Sequence, residues 1–162
     1  MGRKIVTELD IYTDASTEGS KSKNGGVAFV VCRDGAPICM ESMYMAGGDN
    51  SRLELSAACA AIKWCTDQGY LINKRKRIKK LNIYSDAKYV TNSIRYVETW
   101  KEDGTWDGRP NKDLLEYIYK WSKFIKFTWV RGHRGNKYNE VADFMARTTR
   151  KTKENFIINE RS

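Results

Sequence analysis

The sequence predicts an α/β fold, a mixed five-stranded sheet in which a three-stranded antiparallel meander is joined by parallel strands and flanked by helices. Two observations predict it. Residues 9–13, 25–33 and 37–45 have the pattern of short strands, and Asp34-Gly35 suits a tight turn between the last two. Helical periodicity over residues 51–68 then opens an alternation of helices and strands, which is typical of parallel pairing.

The remaining elements follow in chain order. The first helix should end at Gly69, and residues 81–85 predict the next strand. Helices are predicted over residues 88–100 and 112–122, a strand over 124–130, and a last helix over 140–149. We expect one domain over residues 1–162, with 95–112 a handle-like protrusion and 152–162 an extended or loosely docked C-terminal tail.

Composition excludes some classes of protein. No apolar run approaches the roughly 20 residues that cross a bilayer, and no signal peptide is recognisable, so we expect a soluble, cytoplasmic protein. The four cysteines lack the CxxC spacing of zinc sites, which predicts buried free thiols; they are Cys32, Cys39, Cys59 and Cys65.

The charge points to polyanions. A formal net charge of +9 raises affinity for nucleic acid or an anionic membrane surface. Part of the excess lies in a basic run at residues 74–80, which is either a nucleic-acid patch or a solvated loop.

The clearest chemical signal is an echo between two predicted strands. The sequences LDIYTD and LNIYSD lie 72 positions apart and end at Asp14 and Asp86. If the strands are parallel neighbours, the two acids meet at the carboxyl edge of the sheet, where open α/β folds bind ligands. Because adjacent carboxylates repel, their meeting implies a cation or a raised pKa. The alternative is that each is a turn residue, or that Asp86 caps the next helix.

Glu54 lies four, seven and eleven residues before Ala58, Ala61 and Cys65, on the helix stripe that should face the sheet. A carboxylate buried there without a partner would be costly. Ser51 and Glu54 also have the spacing of a capping box, which is compatible with a metal-binding role.

Asp143 and His133 are weaker candidates. Asp143 has the alternative of a solvated helix face, and His133 that of an exposed loop residue, although a histidine beside carboxylates suits proton transfer near neutral pH. Four carboxylates without a thiolate or imidazole cluster favour Mg²⁺ or Mn²⁺ over zinc.

Four motifs in this order resemble ribonuclease H of type 1 over nearly the whole chain. They are YTDAS at residues 12–16, NSRLEL at 50–55, YSDAKYV at 84–90, and VRGH at 130–133 followed by NEVAD at 139–143. The resemblance implies an endonuclease that hydrolyses the RNA strand of RNA–DNA hybrids and leaves 5′-phosphate and 3′-hydroxyl ends. It implies that Asp14, Glu54, Asp86 and Asp143 bind two Mg²⁺ ions, replaceable by Mn²⁺, and that His133 assists proton movement or product departure.

The resemblance also assigns substrate contacts. Asn50 and the backbone near Ser16 would contact 2′-hydroxyls, by which proteins distinguish RNA from DNA. Trp100 and Trp106 of the handle would stack on DNA sugars, although a core role is as plausible for either. The charges of the handle cancel, whereas many relatives are basic there.

A second departure is Asp49, where relatives often place a threonine that helps to seat a DNA phosphate. Asn111 corresponds to the retained partner in that pocket. An acid at position 49 would repel a phosphate unless Arg52 or Lys112 offsets it.

Two other functions remain open: a DNA nuclease of the same superfamily, such as an integrase or resolvase core, and a hybrid-binding module without activity. The Gly-His loop and the motif at residues 50–55 speak against the first, and the full set of four acids and a histidine against the second. We expect a monomer that binds no membrane.

Overall fold

The computed structural model describes residues 8–19, 23–71, 78, 80–132 and 135–159. In chain order its elements are β1 (Glu8–Thr17), β2 (Gly25–Arg33), β3 (Ala36–Met45), α1 (Asn50–Asp67), β4 (Lys80–Ser85), α2 (Lys88–Glu102), α3 (Lys112–Trp121), β5 (Lys126–Trp129), α4 (Lys137–Thr152) and β6 (Phe156–Asn159). A single 3₁₀ turn, Ser122–Phe124, links α3 to β5.

The strands form one mixed sheet in the order β5-β4-β1-β2-β3-β6. Strands β1, β2 and β3 are the antiparallel meander, and β4 and β5 extend it by parallel pairing. The predicted fold class is therefore confirmed. The predicted number of five strands is wrong by one, because the tail contributes β6, which pairs antiparallel with β3.

The two largest of the three hydrophobic clusters among the described residues lie on opposite faces of the sheet. Alternate residues of β1, such as Leu9 and Ile11, pack with Leu55 and Ile62 of α1 in the larger cluster, to which α2 and α3 also contribute. The smaller cluster joins β2 to α4 on the other face. There the backbones lie so close that a Cβ at Gly26 would come within 2.1 Å of the Ala146 carbonyl oxygen, so only glycine fits.

The described helices do not have the length and apolar character required to cross a membrane. The four cysteines are free thiols; three of them are buried and Cys59 is partly buried.

Candidate metal centre

The two echoed strands are parallel neighbours in register. Tyr12 pairs with Tyr84 and Thr13 with Ser85, so Asp14 and Asp86 follow the last rung of the ladder on adjacent strands. Strand β1 nevertheless continues to Thr17 through its pairing with β2, so Asp14 lies inside a strand and not at its end as predicted. Its carboxylate accepts a hydrogen bond from the Ala15 backbone N–H at 2.8 Å.

The helix-cap alternative for Asp86 is wrong, whereas its position in the bend that follows β4 is compatible with a turn residue. The N-cap residue of α2 is Ala87, and no side chain caps that helix. The carboxylate of Asp86 instead belongs to a cluster with Asp14 and Glu54, in which one oxygen of each residue lies within 4.8 Å of the others. The sequence pattern thus correctly predicted the meeting of the two aspartates.

Glu54 reaches this cluster from the first turns of α1. It is only 5% exposed, and the predicted inward stripe is confirmed because Ala58, Ala61 and Cys65 are fully buried. The capping box is wrong: the helix begins at Asn50, and Asp49 caps it by accepting the Arg52 backbone N–H at 2.9 Å. Glu54 Oε2 is buried without a hydrogen-bond partner among the described residues.

The electrostatics of the cluster are those of a cation site. Burial, together with the nearby charge of Asp86, raises the pKa of Asp14 to about 8. Burial, followed by the charges of Asp14 and Asp86, raises the pKa of Glu54 well above its ordinary value. Three carboxyl groups this close together are unfavourable as anions, and a divalent ion would remove that penalty.

Asp143 approaches from α4 on the other side of the sheet. Its charge and a hydrogen bond with it contribute to the raised pKa of Asp14, so it borders the cluster. Its side chain is 18% exposed, and Asp143 Oδ2 forms an ion pair of 3.3 Å with Arg147. The fourth predicted acid therefore lies beside the other three but is shared with a helical arginine.

Trp129 and Gly132, to which the sequence analysis assigned no role, both lie against Asp86. The indole Nε1–H of Trp129 donates to the Asp86 carbonyl oxygen at 2.9 Å, and the Lys88 ammonium lies 4.8 Å from the centre of the same ring. At Gly132, any Cβ would lie 2.8 Å from Asp86 Oδ2. The Arg-Gly-His motif was the available signal for Gly132, whereas nothing local marks Trp129.

The chain matches the family model of RNase H over residues 7–151. Ribonuclease H of Ehrlichia ruminantium (strain Gardel) is 34% identical over 156 residues, which cover 88% of this chain and 94% of that protein. This chain belongs to the RNase H family. Ribonuclease H of Cyanothece sp. (strain PCC 7425 / ATCC 29141) is 32% identical over 148 residues, 85% of each chain. As a member of the RNase H family the chain is a hydrolase, an endonuclease that acts on RNA–DNA hybrids.

Solved RNase H structures have the same fold. LC9-RNase H1, described as a type 1 RNase H with the type 2 active-site motif, superposes with a TM-score of 0.73 at 20% identity, covering 98% of this chain and 80% of its own. RNase H1 of the halophilic archaeon Halobacterium salinarum NRC-1 gives 0.63 at 18% identity, covering 91% and 99%. LC11-RNase H1 in complex with an RNA/DNA hybrid gives 0.57 at 14% identity, covering 85% and 96%.

The candidate RNA contacts flank the acids. Ser16 lies two residues beyond Asp14 on β1, and Asn50 is the exposed first residue of α1, one turn before Glu54. Both therefore lie near the carboxylate cluster. Asp49 was expected to repel a phosphate. One oxygen of its carboxylate caps α1 by accepting the Arg52 backbone N–H.

Arg52 contacts Asn111, and an acid that the sequence analysis did not name joins them. Arg52 donates to Asn111 Oδ1 at 3.3 Å and forms two hydrogen bonds, of 3.0 and 2.7 Å, with the carboxylate of Asp113. Asn111 adopts a left-handed backbone conformation and donates to the Tyr89 hydroxyl. Lys112 pairs with Asp107 at 2.8 Å and not with Asp49. The guanidinium expected to offset Asp49 is thus engaged by Asp113.

The two handle tryptophans differ. Trp106 is 8% exposed and belongs to the larger hydrophobic cluster, which favours its core alternative over stacking on DNA. Trp100 is half-buried, stacked between Tyr96 and Trp106, with the Arg109 guanidinium 4.2 Å from its ring centre. His133, and most of the basic run at residues 74–80, lie outside the described residues.

Proposed function

We propose that this RNase H family member cleaves the RNA strand of hybrids with two Mg²⁺ ions held by Asp14, Glu54, Asp86 and Asp143. The supporting observation is the convergence of three carboxylates within 4.8 Å of one another, two of them buried. Without a cation, burial and mutual repulsion raise the pKa values of Asp14 and Glu54, so the ionised form of the cluster is unfavourable.

The donor set fits the proposed ions. Carboxylate oxygens are the ligands of hard cations, and the unpartnered buried Oε2 of Glu54 offers a free ligand atom. Among the described residues no thiolate or imidazole joins the cluster, which favours Mg²⁺ or Mn²⁺ over zinc. When bound, a pair of such ions activates a water molecule and stabilises the departing oxygen of a phosphodiester.

The chain's own residues then position the substrate and move protons. We assign Ser16 and Asn50 to the RNA strand, where 2′-hydroxyl contacts select RNA over DNA. His133 would carry a proton or help the product to leave, and the products would have 5′-phosphate and 3′-hydroxyl ends. We further propose that the enzyme acts as a monomer in the cytoplasm.

Cleavage of matched duplexes tests the proposal. With Mg²⁺, the protein should cut RNA–DNA of one sequence and leave RNA–RNA and DNA–DNA of the same sequence intact, and a chelator should stop the reaction. Cutting of DNA–DNA alone would favour a DNA nuclease. Tight binding of the hybrid without cleavage under any divalent metal would favour a binding module.

A further inference from the structure

A positively charged surface lies at the end of the sheet opposite the acids. A cleft of about 470 Å³ opens at the amino ends of β4 and β5, and the exposed Lys80, Lys123 and Lys126 line it. Strand β4 has six residues, so Lys80 and Asp86 are separated by roughly 20 Å. The cleft is therefore distinct from the carboxylate cluster.

An exposed aromatic ring accompanies these lysines. Phe124 lines the cleft and is 52% exposed, although burying a phenylalanine is favourable. The Lys123 ammonium lies 5.2 Å from its ring centre, and the Trp121 ring packs beside it at 6.4 Å. The Lys120 ammonium lies 5.1 Å from the Trp121 ring. Lysines thus alternate with aromatic rings along this segment.

The acids at the cleft do not cancel its charge. Glu8 lines it, and its carboxylate accepts a hydrogen bond from the Asn82 side-chain amide at 3.0 Å. The same amide donates to the Asp10 carboxylate at 2.8 Å. Asp10 follows Glu8 by two residues and therefore lies on the same face of β1. Among the described residues that line the cleft there are three lysines and one acid, so the surface attracts phosphates.

We propose that this basic–aromatic surface, formed by Lys80, Lys120, Lys123, Phe124 and Lys126, binds a single-stranded extension of the hybrid that is being cut. Lysines neutralise the phosphates, and an exposed ring provides a face on which an unpaired base stacks. A duplex keeps its bases stacked on one another, so the ring selects a single strand. The separation of about 20 Å corresponds to roughly six steps of 3.4 Å along one strand, so an extension of 15 nucleotides reaches it.

Binding of labelled dT15, which the enzyme does not cut, tests the surface independently of catalysis. Phe124→Leu keeps an apolar side chain but loses the ring, and should weaken binding about fivefold or more. Lys126→Gln should reduce the slope of log Kd against log salt concentration by about 0.7. Lys151→Gln, an exposed lysine in the last turn of α4, is the matched control and should change neither quantity. Wild-type affinity and slope in both test variants would overturn the proposal.

Cleavage kinetics then connect the surface to the reaction. Wild type should show a lower KM for a hybrid carrying a dT15 extension than for the blunt hybrid, and the difference should vanish in Phe124→Leu and Lys126→Gln. Equal kcat and KM of all variants on the blunt hybrid would verify that they fold. The proposal is overturned if the extension leaves the wild-type KM unchanged, or if 15 additional base pairs lower it equally.

Discussion

Asp14 carries a strongly raised pKa within the carboxylate cluster. Its pKa of about 8 lies far above the value near 4 of an aspartate in an unfolded chain. Between those two values the folded protein without metal retains a proton that the unfolded chain has released. Its free energy of unfolding therefore falls as pH rises from about 4 to about 8.

Asp14→Asn should remove this pH-dependent fall in the free energy of unfolding. Without divalent ions at pH 8, the variant should have a free energy of unfolding more than about 1 kcal/mol above wild type, since each unit of pKa shift is worth about 1.4 kcal/mol. The advantage should disappear near pH 4. Urea denaturation at both pH values measures this, and a variant less stable than wild type at pH 8 would contradict the repulsion inferred here. Added Mg²⁺ should stabilise wild type more than the variant.

We expect Trp129 to affect the reaction through Asp86. Trp129→Phe keeps the ring but removes the hydrogen bond to the Asp86 carbonyl oxygen, and outer groups that orient metal ligands typically contribute tenfold to a hundredfold in metal affinity or activity. We expect kcat on a hybrid to fall about tenfold or more, with a higher Mg²⁺ concentration for half-maximal rate. The free energy of unfolding should fall by no more than about 1.5 kcal/mol.

Trp121→Phe is the matched control for this substitution. Its indole N–H is buried and makes no hydrogen bond within the described part of the chain, so its removal should leave the Mg²⁺ dependence unchanged. An unaltered Mg²⁺ dependence in Trp129→Phe would show that the indole only packs.

At the scale of elements, the echo of β1 and β4 was predictable because identical spacing of apolar residues fixes which positions pair. The start of α1 was not, because Asp49, Asn50 and Ser51 are all good N-cap residues and only the backbone conformation selects one. Strand β6 was missed because a short apolar stretch between charged residues does not show which partner, if any, it will find.

Strand β6 should contribute modestly to stability. The half-buried Phe156 packs against the smaller hydrophobic cluster, and the Asn155 side chain accepts the Tyr44 backbone N–H at 2.7 Å. Removing residues 154–162 should lower the free energy of unfolding by about 1–3 kcal/mol, close to the value of burying one large apolar side chain, and leave hybrid cleavage active. Urea denaturation of the truncated chain provides the measurement.

Ile157→Thr separates strand pairing from side-chain packing. Ile157 is 59% exposed, so this change should alter stability by no more than about 0.5 kcal/mol. A truncated chain as stable as wild type would mean that β6 adds nothing to the sheet.

For the whole molecule, topology brings the candidate site together. The acids come from β1, α1, the end of β4 and α4, so their convergence requires the parallel pairing of β1 with β4 and a helix on each face of the sheet. The sequence predicted this convergence for Asp14, Asp86 and Glu54 from two strands and one helix stripe. The contact of Arg52 with Asp113 joins positions 61 residues apart and follows no local pattern, so only the folded chain reveals it.

The rate of hybrid cleavage by Asp86→Asn, with Mg²⁺, tests the central claim most directly. Asp107→Asn is its control, because Asp107 is an exposed acid of the handle whose partner is Lys112. We predict that the first variant loses at least about a hundredfold in rate, since a metal ion supplies several kcal/mol of transition-state stabilisation, and that the second keeps wild-type activity. An undiminished rate in Asp86→Asn would contradict the assignment of the carboxylate cluster as the metal centre.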